Sequence, residues 1–181
     1  MRKVLYIFGL LNDGDVEWMA QTGVVKSLQD GATLIKQGTK LDKVYILIEG
    51  HMTVSIEGLG AVAQLGAGEM LGEMSFVDGS PTSATVTSKG AVKFLQLNKQ
   101  DLEARFAGDP SFGFRFFKAL SVFLADRLRG TVKHLGYGGE GDLDTDEILD
   151  DEIDETLLDN VSIAGERFDR MIRTLSGART N

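Results

Sequence analysis

From about Val24 to Leu97 the chain is written in short apolar runs broken by glycine. The runs are Ala32–Lys36, Lys43–Glu49, His51–Glu57, Ala61–Leu65, Ser83–Ser88 and Ala91–Leu97. Gly31, Gly38, Gly50, Gly58, Gly60, Gly66, Gly68, Gly79 and Gly90 punctuate them. In His51–Glu57, Met52, Val54 and Ile56 alternate with His51, Thr53 and Ser55, the period of a strand with one buried face. Short strands with closely spaced turn signals predict a β-roll or jelly roll of about eight strands.

Helical patterning flanks this region. Asn12 can cap a short helix with Asp15 three residues on, and Val16, Met19 and Ala20 give that helix an apolar side. Asn98-Lys99-Gln100-Asp101 has the form of a second capping box, for a helix through Phe106. Asp109 as cap and Pro110 at the first helical position start a long helix to about Leu135. It carries two apolar stripes: Phe112, Phe116, Ala119 and Phe123, and Phe117, Leu120, Leu124, Leu128 and Leu135. So wide an apolar arc needs cover on two sides. The roll covers one side. A second copy of the chain, forming a homodimer through residues 110–135, is expected on the other, and the alternative is that the tail folds back onto the helix.

Charge is distributed unevenly. Of the net −8, residues 140–181 hold 13 acidic and 4 basic side chains, leaving 14 acidic and 15 basic over residues 1–139. Residues 140–160 hold 11 acids and no base, which reads as a solvated linker. Beyond it Leu157, Val161, Ala164, Phe168, Met171 or Ile172, and Leu175 recur at helical spacing, a candidate docking helix for an unidentified protein partner. The expected organisation is a domain over 1–136, an acidic linker over 137–160 and an amphipathic helix and tail over 161–181. No basic surface suits nucleic acid. No run of 18 apolar residues suits a membrane span. The apolar start reads as part of the fold rather than a secretory signal, so the expected location is cytoplasmic.

The chemistry is concentrated in Gly68-Glu69-Met70-Leu71-Gly72-Glu73-Met74-Ser75-Phe76 and in Pro81-Thr82-Ser83-Ala84-Thr85-Val86. A Gly-Glu pair opening a turn of helix offers free backbone N–H groups to an anion and a carboxylate to a sugar hydroxyl. Small residues at 83–85 let backbone approach a phosphate closely. Gly72-Glu73-Met74-Ser75, followed by Pro81-Thr82-Ser83-Ala84-Thr85, resembles the phosphate-binding cassette of the cyclic-nucleotide-binding domain. That domain occurs in the bacterial cAMP receptor protein, the regulatory subunit of protein kinase A and cyclic-nucleotide-gated channels. Gly31-Ala32-Thr33-Leu34, Gly38, Asp42, Tyr45-Ile46-Leu47 and Gly50-His51-Met52-Thr53-Val54 extend the likeness, which covers about residues 5–135.

The resemblance implies a mainly β fold with flanking helices and a long C-terminal helix. It implies a regulatory sensor of a cyclic nucleotide, cAMP or cGMP, at Leu71, Gly72, Glu73, Met74, Ser75, Thr82, Ser83 and Ala84. Glu73 would take the ribose 2′-hydroxyl and the backbone around Gly72, Met74, Ser83 and Ala84 the phosphate. The family's phosphate-binding arginine position is Thr82 here, and a charge-assisted pair of bonds worth roughly 1.5–3 kcal/mol each is missing. The alternative is a degenerate roll that binds no ligand and serves as a scaffold for protein assembly.

Other chemistry finds little support. His51 and His134 are too few for a cupin-type metal site. Asp142, Asp144 and Asp146 begin like a calcium loop, but Glu147 and Ile153 occupy the glycine and glutamate positions. There is no cysteine and no nucleophile elbow, so no enzyme activity and no cofactor are expected. The acidic stretch after Gly136 does not read as a helix-turn-helix domain.

Overall fold

The computed structural model describes residues 7–136 and 161–177. Six strands form one antiparallel sheet: β1 (Val24–Leu28), β2 (Thr33–Ile35), β3 (Lys43–Ile56), β4 (Gly60–Leu65), β5 (Met70–Leu71) and β6 (Thr85–Asn98). The helices are α1 (Asp13–Thr22), α2 (Glu73–Asp78), α3 (Lys99–Gly108), α4 (Pro110–Gly136) and α5 (Val161–Gly177). The main path of the sheet runs β1-β6-β3-β4, with β2 also on β6 and β5 also on β3.

Two expected strand pairs are each one long strand, which is why six strands stand where about eight were expected. Lys43–Glu49 and His51–Glu57 merge into β3, and Ser83–Ser88 and Ala91–Leu97 merge into β6. Gly50 bends β3 without ending it. It lies at φ +88°, and a Cβ there would sit 2.5 Å from the Ala91 carbonyl oxygen. The bend also exchanges the faces of the strand. Before it, Val44, Ile46 and Ile48 face the helices while Tyr45 and Leu47 face the roll interior. After it, the even-numbered Met52 and Val54 face the interior. The pairing with β6 shifts on both sides of Glu49, and a one-residue shift turns every later side chain to the other face.

Two cores result. The roll interior is filled by Ile35, Tyr45, Leu47, Met52, Leu65, Leu71, Val86, Val92 and Phe94. The Tyr45 and Phe94 rings meet edge to face at 5.5 Å. The second core lies between sheet and helices and is dominated by Phe76, Phe106, Phe112, Phe116 and Phe123.

The helix starts follow the capping chemistry of the sequence in two cases of three. Asn12 Oδ1 accepts from Asp15 N while Asp15 Oδ2 accepts from Asn12 N, both at 2.9 Å. Asp109 Oδ1 accepts from Phe112 N at 3.0 Å and starts α4. Asn98 instead gives its side-chain amide to Asp101 Oδ2 and caps no backbone N–H. The first apolar stripe of α4 is buried as expected, while Phe117 and Leu128 of the second stay exposed. The tail helix α5 packs chiefly on α1 rather than along α4. It buries Ala164, Phe168 and Met171, with Phe168 edge to face on Phe8 at 5.2 Å. The acidic linker and the Asp142–Asp146 run lie outside the described residues.

Replacing Gly50 by alanine forces a left-handed residue and a backbone collision, so Gly50→Ala should cost about 2 kcal/mol or more in urea unfolding.

Candidate functional site

The cassette begins where β5 leaves the roll. Leu71 pairs with Tyr45 and is buried in the interior. Gly72 caps α2 at φ +81°, where a side chain would meet Leu41 Cδ2 at 2.4 Å and the Lys43 carbonyl oxygen at 3.1 Å. Glycine thus permits both the turn and its close seat on the Leu41–Lys43 segment. On α2, Ser75 and Phe76 face inward and Met74 faces solvent. Ser83 is exposed and Ala84 half-buried on the other arm.

Glu73 is 3% exposed, and its Oε1 is gripped by Arg127 Nη1 of α4. Arg127 Nη2 also lies 3.6 Å from Glu69 Oε2. Glu69 is itself fixed in the turn before β5, its Oε1 accepting from Gly66 N at 2.9 Å. The Arg127 guanidinium lies 4.9 Å from the Phe123 ring centroid. Burial pushes the Glu73 carboxyl up from the ordinary glutamate value, against the pull of Arg127 and with a smaller push from Glu69. Two carboxylates and one guanidinium meet here, so an arriving anion finds no surplus positive charge.

Thr82 has an internal role. Its hydroxyl donates to the Lys36 carbonyl at 2.6 Å and accepts from Thr39 N at 3.2 Å. Its backbone N–H donates to Thr39 O at 2.9 Å, and its carbonyl accepts from Gly38 N at 2.8 Å. Thr85 Oγ1 adds a bond from Gln37 N at 3.1 Å. The arm 82–85 is therefore stitched to the turn 36–39, and the Thr82 hydroxyl is turned into the protein.

Sequence reasoning singled out Glu73 but missed Arg127 and the structural part played by Glu69. The signal for Arg127 was present. It stands four residues beyond Phe123 and continues the stripe Phe112, Phe116, Ala119, Phe123, so a cation follows on the buried face of the helix. Among the described residues no group of three or more His, Cys, Asp or Glu could hold a metal ion. No described helix is long and apolar enough to cross a membrane.

A single antiparallel roll carries a short helix looped out between its strands, and a long helix is clamped across that loop. Residues 25–109 match the family model of the cyclic nucleotide-binding domain, and this part of the chain belongs to that family. The chain is 32% identical over 81 residues to the cAMP-dependent protein kinase regulatory subunit of Dictyostelium discoideum, covering 41% of this chain and 25% of the relative. It is 32% identical over 80 residues to a cyclic nucleotide-gated potassium channel of Rhizobium etli, covering 44% and 22%. Matches to these relatives thus span a quarter of their length or less. Among solved structures, a cyclic nucleotide-binding domain from Methylobacillus flagellatus superimposes with a TM-score of 0.68 at 23% identity, covering 78% of this chain and 85% of that one.

The raised Glu73 carboxyl has a signed consequence. Folding favours its protonated form, so its contribution to stability is full on the acid side and is lost as pH rises through the folded-state value. In urea titrations from pH 4 to pH 7, Glu73→Gln should lack this loss, and its stability relative to wild type should rise with pH.

Proposed function

We propose that the chain is a non-catalytic regulatory module that takes a cyclic nucleotide, cAMP or cGMP, in the roll and reports occupancy through α4. The observation that carries this reading is the Glu73–Arg127 contact. The carboxylate placed to meet a ribose hydroxyl is already bonded to the long helix. A sugar hydroxyl arriving at Glu73 must share or displace Arg127, so ligand binding and helix position are linked. Affinity is expected to be weak, because Thr82 supplies no cation and its hydroxyl is engaged by Lys36 and Thr39. Losing one bidentate phosphate grip costs on the order of a hundredfold.

The engagement of Thr82 also favours a second reading. A roll whose interior is filled by Tyr45, Leu47, Met52, Leu71 and Phe94, with no free arginine at the cassette tip, is suited to be a ligand-free scaffold. Calorimetry with cAMP and cGMP separates the two. Saturable binding in the micromolar to low millimolar range, abolished by Glu73→Ala and altered by Arg127→Ala, supports the sensor. Silence at millimolar nucleotide sinks it and leaves the scaffold.

The partner reading is a homodimer through α4. Phe114, Phe117, Leu128 and Val132 are 69%, 42%, 64% and 59% exposed, and Met74 and Val77 of α2 add 51% and 52%. Exposed large apolar groups in such number on one helix and its neighbour mark an association surface. Sedimentation should show a dimer that Leu128→Glu converts to monomer without loss of fold; a wild-type monomer at 100 μM, about the working range of weak pairs, would exclude it.

A further inference from the structure

Three arginine–carboxylate clamps join successive elements of the molecule. Arg127 holds Glu73 and Glu69, tying α4 to the cassette. Arg115, twelve residues earlier on α4, grips Asp15 through Nε to Oδ2 at 2.6 Å and Nη2 to Oδ1 at 2.8 Å, tying α4 to α1. Asp13, in the same first turn of α1, accepts from Arg167 Nε at 2.8 Å and Arg170 Nη1 at 2.6 Å, tying α1 to α5. Arg167 Nη1 also donates to the Phe8 and Gly9 carbonyls at 3.1 and 3.3 Å.

We propose that these clamps act in series, so that the packing of the cassette helix α2 and the docking of α5 are energetically coupled through α4 and α1. Each intervening element is stiff along the relevant direction. The two clamped arginines of α4 are about 18 Å apart on one unbroken helix. In α1, Asp15 is at once half of the capping box and the seat of Arg115, so the turn that carries Asp13 follows α4. The Asp15 side chain is 2% exposed and the Glu73 side chain 3% exposed, so each leaves its arginine only at the cost of a buried carboxyl without that partner. Asp13 is different. It and Arg170 are each 53% exposed, with Arg167 at 18%, so the outermost clamp has the most solvated carboxylate of the three and opens at the least cost. A displacement of α4 at the cassette is therefore resolved at the weakest link, by loosening α5. Coupling of this kind is reciprocal, so loosening α5 must also loosen α2.

The test is hydrogen exchange by mass spectrometry on the full chain, with no nucleotide present, so that its outcome is independent of whether a ligand binds. Arg115→Gln breaks the middle clamp and touches no residue of α2 or α5. It should raise exchange in 161–177 and in 73–78 by about fivefold or more, with β3 and β6 unchanged. Asp13→Asn, at an exposed site, removes only the outer clamp and should raise exchange in 73–78 as well as in 161–177. If Asp13→Asn frees α5 and leaves 73–78 at the wild-type rate, the coupling does not exist. If Arg115→Gln leaves α5 at the wild-type rate, or speeds all segments alike with the strands, the serial arrangement is likewise overturned. Should Arg115→Gln fail to fold, Asp13→Asn alone decides the matter.

Discussion

A carboxylate taken out of water between a sheet and a helix requires a cation beside it, and this requirement organises the module. Glu73 is looped into the junction by the turn at Gly72, and Arg127 meets it from α4. Glu73 is 3% exposed and Arg127 29% exposed, so the carboxylate depends on the pairing more than the guanidinium does. Removing the cation from beside a buried carboxylate typically costs about 3–5 kcal/mol. The position of α4 is thereby tied to a side chain of the cassette, in addition to the phenylalanine packing that holds the helix to the sheet. Packing alone tolerates sliding of a helix by small amounts; a short directional ion pair does not.

The sheet supplies the rigid half of that junction. β3 is buried on both faces over its first half, with Val44, Ile46 and Ile48 toward the helices and Tyr45 and Leu47 toward the interior. Such a strand reads as a continuous apolar run. The bend at Gly50 then lets the same strand serve the interior with the opposite parity. The outer arm of the cassette depends on a smaller device, the hydroxyl of Thr82, which holds the turn 36–39 against residues 82–85. The Thr82 hydroxyl, at the position that resembles an arginine site, is thus engaged within the protein.

Much of this was legible in the residues. The β-roll, the capping of α1 by Asn12 and of α4 by Asp109, and the buried stripe of α4 follow from periodicity and local hydrogen bonding. Strand boundaries did not, because Gly50 and Gly90 carry turn signals that the paired neighbours override. The role of Asn98 was misread because its side chain found Asp101 in place of a backbone N–H. The likeness of residues 72–85 to a phosphate-binding cassette was visible as an ordered motif, yet the engagement of Glu73 and Thr82 was not. Arg127 is 54 residues from its partner and Lys36 is 46 residues from Thr82, and no local rule joins them. Likewise α5 announced itself as amphipathic, but only the geometry names α1 and Asp13 as its seat.

The pairing of β3 with β6 bears on how the molecule assembles. Lys43 lies opposite Asn98 and Ser55 opposite Thr85, so the ribbon closes a loop that holds β4, β5 and the whole cassette. Closing so distant a pairing is slow compared with forming α3 or α4, whose contacts are local. The Glu73–Arg127 contact spans 54 residues and is likewise slow to form compared with the local winding of α4. A nascent chain would pass through a stage in which the long helix exists but its arginine has nothing to hold.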